Sequence, residues 1–271
     1  MNISISTYVE GVRQKTPLVE AITNYVTVND CANILLSSGA SPAMCESADE
    51  AYDFTKLAQA VYLNIGTLTK EQELAMLQSV KAADEMNIPV ILDPVGCGAI
   101  PRRIDYIDKL RSFGKISIVK GNMGEIKSLA GVEAQVRGVD SIDDGKDSSE
   151  VVKNLAKKWN CIVVATGKTD LISDGENIAY VDNGCVLFTS ITGAGCMLGA
   201  LLAGFAGAHP QQLFEASVAA CVVMGIAGEN AKARENGDLP GSFRAFLMDE
   251  IYRLDASRIE GASKVRVKNI E

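Results

Sequence analysis

Histidine is almost absent from this 271-residue chain, with His209 its single instance. Zinc clusters and histidine-based triads lose most of their support with it. The seven cysteines (Cys31, Cys45, Cys97, Cys161, Cys185, Cys196 and Cys221) are odd in number and never fall in a Cys-x-x-Cys pair, so no disulfide framework or zinc ribbon is expected. A reducing cytoplasm is the expected setting. Positive charge is also in short supply. Twenty-six Lys and Arg against 34 Asp and Glu leave a net charge of −8, which provides no field to gather nucleic acid or an anionic membrane. Small molecules are the expected partners. Gly193 to Ala208 carries no charge but is only sixteen residues long and glycine-rich, short of the roughly 20 apolar residues that span a bilayer. Ala216 to Gly228 is shorter still, so both are expected as buried helices or helices at a subunit contact, with no membrane role. Met1 to Glu10 has neither the basic start nor the apolar segment of a signal peptide, and no leader is expected.

What is present is an ordinary globular composition, 47% hydrophobic and 22% charged. Runs rich in branched residues recur at Ala60 to Gly66, Pro89 to Asp93, Ile116 to Lys120 and Cys161 to Thr166, each followed by a glycine-bearing turn. Between them lie Lys70 to Met86, Arg103 to Phe113 and Ser148 to Trp159, with apolar residues three or four apart. Strand alternating with helix predicts a parallel α/β sheet wound on both faces. Ile178 to Val181 and Val186 to Ser190 flank Asp182-Asn183-Gly184 and predict an antiparallel hairpin at one edge. The last third reads as helical, with Ser242 as a helix cap. No linker, repeat or low-complexity break appears, so residues 1–271 are expected to form one domain.

Ligands of parallel sheets gather beyond the carboxyl ends of strands. Thr192-Gly193-Ala194-Gly195-Cys196 lies between a predicted strand and an uncharged helical segment, where glycines let backbone amides approach an anion and the helix end adds positive charge. A tight turn before a buried helix would read the same way. If the anion is a triphosphate, an acidic protein needs a divalent metal to balance it. Asp93 and Glu125 are the carboxylates at suitable strand ends for magnesium, although each equally suits a helix cap. Cys196, at the first turn of that helix, is the one cysteine singled out as a nucleophile or proton acceptor. Three near-misses fail. Gly167-Lys168-Thr169 lacks the first glycine of a phosphate loop, Asp140 to Glu150 has Ile142 and Val151 where a calcium loop needs oxygen ligands, and Gly96-Cys97-Gly98 meets Pro101 instead of a third glycine. His209, next to Pro210, has no triad partner and is assigned a surface or capping role.

Taken in order, Ile22-Thr23-Asn24, Gly39-Ala40-Ser41-Pro42-Ala43-Met44, Leu63-Asn64-Ile65-Gly66-Thr67, Ile91-Leu92-Asp93-Pro94-Val95-Gly96, Lys120-Gly121-Asn122, Thr166-Gly167, Thr192 to Cys196 and Pro240-Gly241-Ser242-Phe243 resemble the hydroxyethylthiazole kinase family of the ribokinase-like superfamily, from about Pro17 to Leu254. The resemblance implies a three-layer α/β/α fold and a homotrimer with active sites between subunits. It also implies transfer of the ATP γ-phosphoryl group to the alcohol of 4-methyl-5-(2-hydroxyethyl)thiazole for thiamine salvage. By motif, Asn24, Met44 and Gly193 would hold the thiazole, Lys120 and Thr166 the ATP, and Asp93 and Glu125 the Mg2+. Gly193 and Gly195 would form the anion hole, with Cys196 accepting or relaying the hydroxyl proton. Lys120 stands where the family pattern has arginine, keeping the charge without its bidentate fork. Cys196 stands where most sugar kinases of the superfamily carry aspartate. The rival readings are a kinase for a pyrimidine alcohol, which the segment around Met44 disfavours; a lyase acting on hydrated nicotinamide nucleotides, which Asn24 and Cys196 fit poorly; and a non-catalytic nucleotide-binding module.

Overall fold

The computed structural model describes residues 3–132 and 145–269. In chain order the elements are α1 (Ile5–Lys15), β1 (Leu18–Ile22), α2 (Val28–Ser38), β2 (Ser41–Ala43), α3 (Ala48–Thr55), β3 (Ala60–Asn64), α4 (Lys70–Met86), β4 (Val90–Asp93), α5 (Pro101–Phe113), β5 (Ile118–Asn122), α6 (Met123–Ala130), α7 (Gly145–Trp159), β6 (Ile162–Thr166), β7 (Asp170–Ser173), β8 (Asn177–Val181), α8 (Ala194–Ala208), α9 (Leu213–Ala233), α10 (Pro240–Arg253), α11 (Ala256–Ile259) and β9 (Val265–Asn269). The strands form one sheet in the order β2-β1-β3-β4-β5-β6-β7-β8-β9. Pairing is parallel from β2 to β6 and antiparallel from β6 to β9.

Side chains alternate between the two faces of a strand, and two separate cores follow from that alternation. Tyr62, Ile91, Ile118 and Val164 face a core built with α1, α2, α8 and α9, whereas Val61, Leu63, Leu92, Val119 and Val163 face one built with α4, α5, α6 and α7. This is the expected α/β/α layering. The uncharged stretches become α8 and α9, whose residues are nearly all buried. By length and composition α9 would also span a membrane, but 78% of its most apolar window lies inside the fold, against α8, α10 and the sheet.

Several expectations need correction. Val186–Ser190 is a 3₁₀ turn and not the second strand of a hairpin. Asn183, which would have turned the chain back, is held by its own amide. Its Nδ2 donates to Ala262 O (2.9 Å), and its Oδ1 accepts from Lys264 N (2.8 Å). Gly184 N donates to Glu229 Oε1, carrying the chain to the helical layer, where Phe188 lodges over Gly228 and edge-on to Phe243. The antiparallel hairpin joins β7 to β8 instead, one strand in from edge strand β9, around Asp174 and Gly175 (φ +94°), with Asp174 Oδ1 accepting from the Glu176 and Asn177 amides. Ser242 is not the cap of α10, which starts at Pro240, a residue whose missing N–H costs nothing at a first helical position. His209 does take the expected capping role, closing α8 with its backbone N–H on Phe205 O and Ala206 O, while its ring is half-buried, Nε2 3.1 Å from Tyr8 O, in the space left by Gly11. The first part of the acidic segment from Asp140 lies outside the described residues.

Candidate active site

The period-two rule that divides the core also builds the site. Asn64, Asp93, Lys120 and Thr166 each come two residues after a side chain that faces α8 and α9, so all four emerge on that face at the carboxyl ends of β3, β4, β5 and β6. Register places Asn64 opposite Asp93 and Asn122 opposite Thr166.

Asp93 is fully buried. Its Oδ2 accepts from Tyr62 OH (3.1 Å), Asn64 Nδ2 (3.1 Å) and Lys120 Nζ (3.2 Å). Its Oδ1, equally buried, has no hydrogen-bond partner. Burial lifts the carboxyl above the ordinary carboxylate range, against the opposing pull of Lys120. Burial alone would pull Lys120 down, yet Asp93, Cys196 and Glu125 outweigh it and hold the ammonium above its usual value. Lys120 is therefore a fixed cation at the floor of the site.

Gly193 is the residue preceding α8, with φ +83°, a conformation that favours glycine; a Cβ there would lie 2.7 Å from Thr27 Cγ2. Two residues on, a Cβ at Gly195 would lie 3.0 Å from Lys120 Nζ. The helix start thus sits directly over the ammonium, and Asp93 shares the same cleft. Cys196, half-buried, follows in the first turn of α8 and meets Asn24 Nδ2 (3.4 Å) and Asn64 Nδ2 (3.3 Å).

The sequence-based candidates fall into four placements. Asn24, Asp93, Lys120, Gly195 and Cys196 belong to one contiguous cluster with Gly193 at its lip. Glu125 stands beside it and also caps α6, with Oε1 accepting from Gly96 N (2.8 Å) and Oε2 from Asn122 N (2.8 Å). Both alternatives for that acid are therefore compatible, since each oxygen retains a lone pair. Thr166 ends β6, its Oγ1 donating to Gly121 O (3.3 Å). Met44 does not join the hydrogen-bonded cluster; it follows edge strand β2, half-buried against the core.

The sequence marks Asn64 only as part of the Leu63 to Thr67 motif, with no role of its own, and gives no sign of two further residues of the site. Tyr62 looks like a routine strand position, although strict alternation pairs it, like Asn64, with Asp93. Arg103 spans two rim loops, its guanidinium donating to Val95 O and to Gly66 O (2.6 Å), and no local pattern signals it. Among the described residues no group of three or more His, Cys, Asp or Glu assembles as a metal cage. The donor set fits magnesium instead, which takes one or two carboxylates and fills the rest with waters and phosphate oxygens. The unpartnered Asp93 Oδ1, with Glu125 near enough to act on Asp93 electrostatically, meets that requirement.

Comparison with known proteins agrees with this geometry. Residues 9–257 match the model of the Hydroxyethylthiazole kinase family. A hydroxyethylthiazole kinase of Desulfitobacterium hafniense is 52% identical over 266 residues, covering 98% of this chain and 99% of the relative. The structure of a hydroxyethylthiazole kinase protein from Pyrococcus horikoshii superposes with a TM-score of 0.89 at 36% identity, covering 98% of this chain and 99% of the other. Pyridoxal kinase of Staphylococcus aureus, in complex with AMP-PCP and pyridoxal, shares the fold at a TM-score of 0.61 and 14% identity, with 94% and 99% covered.

Proposed function

Because the chain belongs to the hydroxyethylthiazole kinase family, we propose that it transfers the γ-phosphoryl group of ATP to the hydroxyethyl oxygen of 4-methyl-5-(2-hydroxyethyl)thiazole, giving the thiazole phosphate used in thiamine salvage. The observation that carries this reading is the stack at the start of α8, with the Cys196 thiol and the glycine turn above the Lys120–Asp93 pair.

Phosphoryl transfer asks for in-line positioning and charge neutralisation more than covalent chemistry. The Gly193 and Gly195 turn supplies backbone amides and the positive end of α8 to the transferring group, and Lys120 adds a buried full charge beneath them. Thr166, on the adjacent strand end, helps seat the nucleotide. Asp93 and Glu125 would hold Mg2+ and its waters; when bound, the metal neutralises phosphate charge. Asn24, Met44 and Gly193 enclose the thiazole. As the hydroxyl oxygen bonds to the γ-phosphorus, the bond to the β-bridging oxygen breaks, ADP leaves, and the hydroxyl proton passes to Cys196 Sγ. The homotrimer that the family resemblance implies would bring a neighbouring subunit to the pocket beside Met44, which follows edge strand β2. All seven cysteines are unpaired, in keeping with the reducing cytoplasm we assign, and residues 1–271 act as one kinase domain.

The test is a phosphotransfer assay with magnesium and ATP across a panel of thiazole and pyrimidine alcohols, reading the phosphorylated product by mass. Thiazole phosphate as the main product is expected. Preferential phosphorylation of a pyrimidine alcohol would replace this substrate assignment, and ADP release indifferent to any alcohol would remove it.

A further inference from the structure

Resting on the kinase reading above, we infer that Asn64 is a positioning residue. Together with Asn24 it fixes the Cys196 sulfur as the acceptor of two amide N–H groups, so that Cys196 takes the substrate proton only as a thiolate.

The orientation of both amides is set by backbone donors. Gly66 N donates to Asn64 Oδ1 (3.0 Å), and Thr27 N donates to Asn24 Oδ1 (3.1 Å). A backbone N–H can only donate, so each amide must turn its nitrogen the other way. Asn24 Nδ2 then gives one hydrogen to Asn64 Oδ1 (3.0 Å) and the other to Cys196 Sγ (3.4 Å). Asn64 Nδ2 gives one to Cys196 Sγ (3.3 Å) and the other to the oxygens of Tyr62 (2.9 Å) and Asp93 (3.1 Å). Asn64 is 1% exposed and Asn24 5%, so neither trades these partners for water. Gly66 keeps the arrangement compact, since a Cβ there would lie 3.0 Å from Asn64 Oδ1 and 3.2 Å from Asn24 Cβ.

The consequence lies in counting lone pairs. A neutral thiol sulfur has two, and here each faces an N–H, so in that state the S–H is left to point into the cleft and can only donate. Loss of the proton creates a third lone pair, and that one is available to a substrate hydroxyl. An N–H···S bond is stronger to a charged sulfur than to a neutral one, so removing either amide acts unequally on the two forms. Through its other hydrogen Asn64 ties the same sulfur to Asp93, so the acceptor and the carboxylate beside the phosphate site are held in fixed register by one amide. The titratable groups that act on Cys196 are Cys31 on α2, Tyr62 on β3 and Lys120 on β5; Asp93 on β4 lies one amide away through Asn64, and Asp30 on α2, paired with Arg244, lies beside Gly193.

The experiment is the pH profile of iodoacetamide alkylation of Cys196, followed by mass spectrometry of its peptide in the full-length protein without nucleotide or alcohol. The parent is compared with Asn64→Ala, the similarly sized Asn64→Leu, and Asn24→Ala. Cys185, half-buried and with its Sγ on Gly228 O rather than on either amide, is the internal reference. Either folded Asn64 variant suffices. The Cys196 midpoint is expected to rise by about half a unit or more in the Asn64 variants and in Asn24→Ala, roughly a threefold loss of thiolate at a given lower pH, while that of Cys185 stays put. A midpoint unmoved in the Asn64 variants, moved only in Asn24→Ala, or moved together with that of Cys185 would overturn the inference. Since no substrate enters the experiment, its failure and the failure of the phosphotransfer assay are separate results.

Discussion

At Gly199 the lack of a side chain lets the ring of Tyr62 lie beneath α8, where an added Cβ would come within 2.5 Å of Cε2 and 2.7 Å of the hydroxyl that binds Asp93. Glycine to alanine inside a helix ordinarily gains up to about 1 kcal/mol. Here overpacking outweighs that gain, and Gly199→Ala is expected to lose about 1–3 kcal/mol in urea unfolding and to lower turnover as Tyr62 shifts. Gly195 differs, for it is itself exposed and its Cβ would touch the Lys120 ammonium alone, at 3.0 Å, a contact that a shift of a few tenths of an ångström relieves. Gly195→Ala should therefore unfold within about 1 kcal/mol of the parent while its KM for ATP rises severalfold. Cys196→Ala is expected to cut kcat by about tenfold or more with little change in KM for ATP; full turnover in that variant would reject the proton-acceptor role and leave the kinase reading intact.

At the scale of the element, β1 carries the least expected residue. Glu20 is buried in mid-strand between α3 and α4, with Ser79 Oγ donating to Oε1 (3.0 Å) and Thr55 Oγ1 2.5 Å from Oε2. Thr55 has one proton, and Ala51 O is also within reach (2.8 Å), so a protonated Glu20 satisfies the trio best. Burial, opposed by the two hydroxyls, raises this carboxyl to about 7. A folded-state value above the unfolded one gives stability that is complete below about pH 4.5 and is lost as pH rises through 7. Glu20→Gln, which mimics the neutral acid, should match the parent near pH 4 in urea unfolding and exceed it by a few kcal/mol, of order 3, at pH 8. A charge-bearing residue in the middle of Leu-Val-Glu-Ala-Ile is also why β1 does not announce itself in the sequence, whereas the uninterrupted apolar runs of β3 to β6 do. The β7–β8 hairpin escaped for another reason: Asp174-Gly175 is an ordinary turn signal, but Asp182-Asn183-Gly184 is a similar one, and only tertiary bonds to Glu229, Ala262 and Lys264 decide between them. The strand-end residues Asp93, Lys120 and Thr166 were legible because parallel topology dictates where ligands bind. The amide pairing around Cys196 was not, because it joins residues 24, 64 and 196 through long-range contacts.

Across the whole molecule the site draws on the exits of β1 and of β3 to β6 and on the first turn of α8, and the proposed metal requirement and assembly belong to that whole. Removal of divalent cations with EDTA should abolish phosphotransfer, with recovery on adding magnesium, because an acidic chain with one buried ammonium cannot neutralise a triphosphate alone. Light scattering after gel filtration should give a mass near three times the 28.8 kDa of one chain; a monomer with full activity would remove the intersubunit pocket. The strand register has a further consequence for how such a chain can vary. Since Asn64 faces Asp93 across adjacent strands, one inserted or deleted residue within β3 or β4 would turn the side chain at that strand end onto the opposite surface and break the Asn64–Asp93 contact in a single event. Length variation among descendants of this gene should consequently collect in the connecting loops and spare those strands entirely.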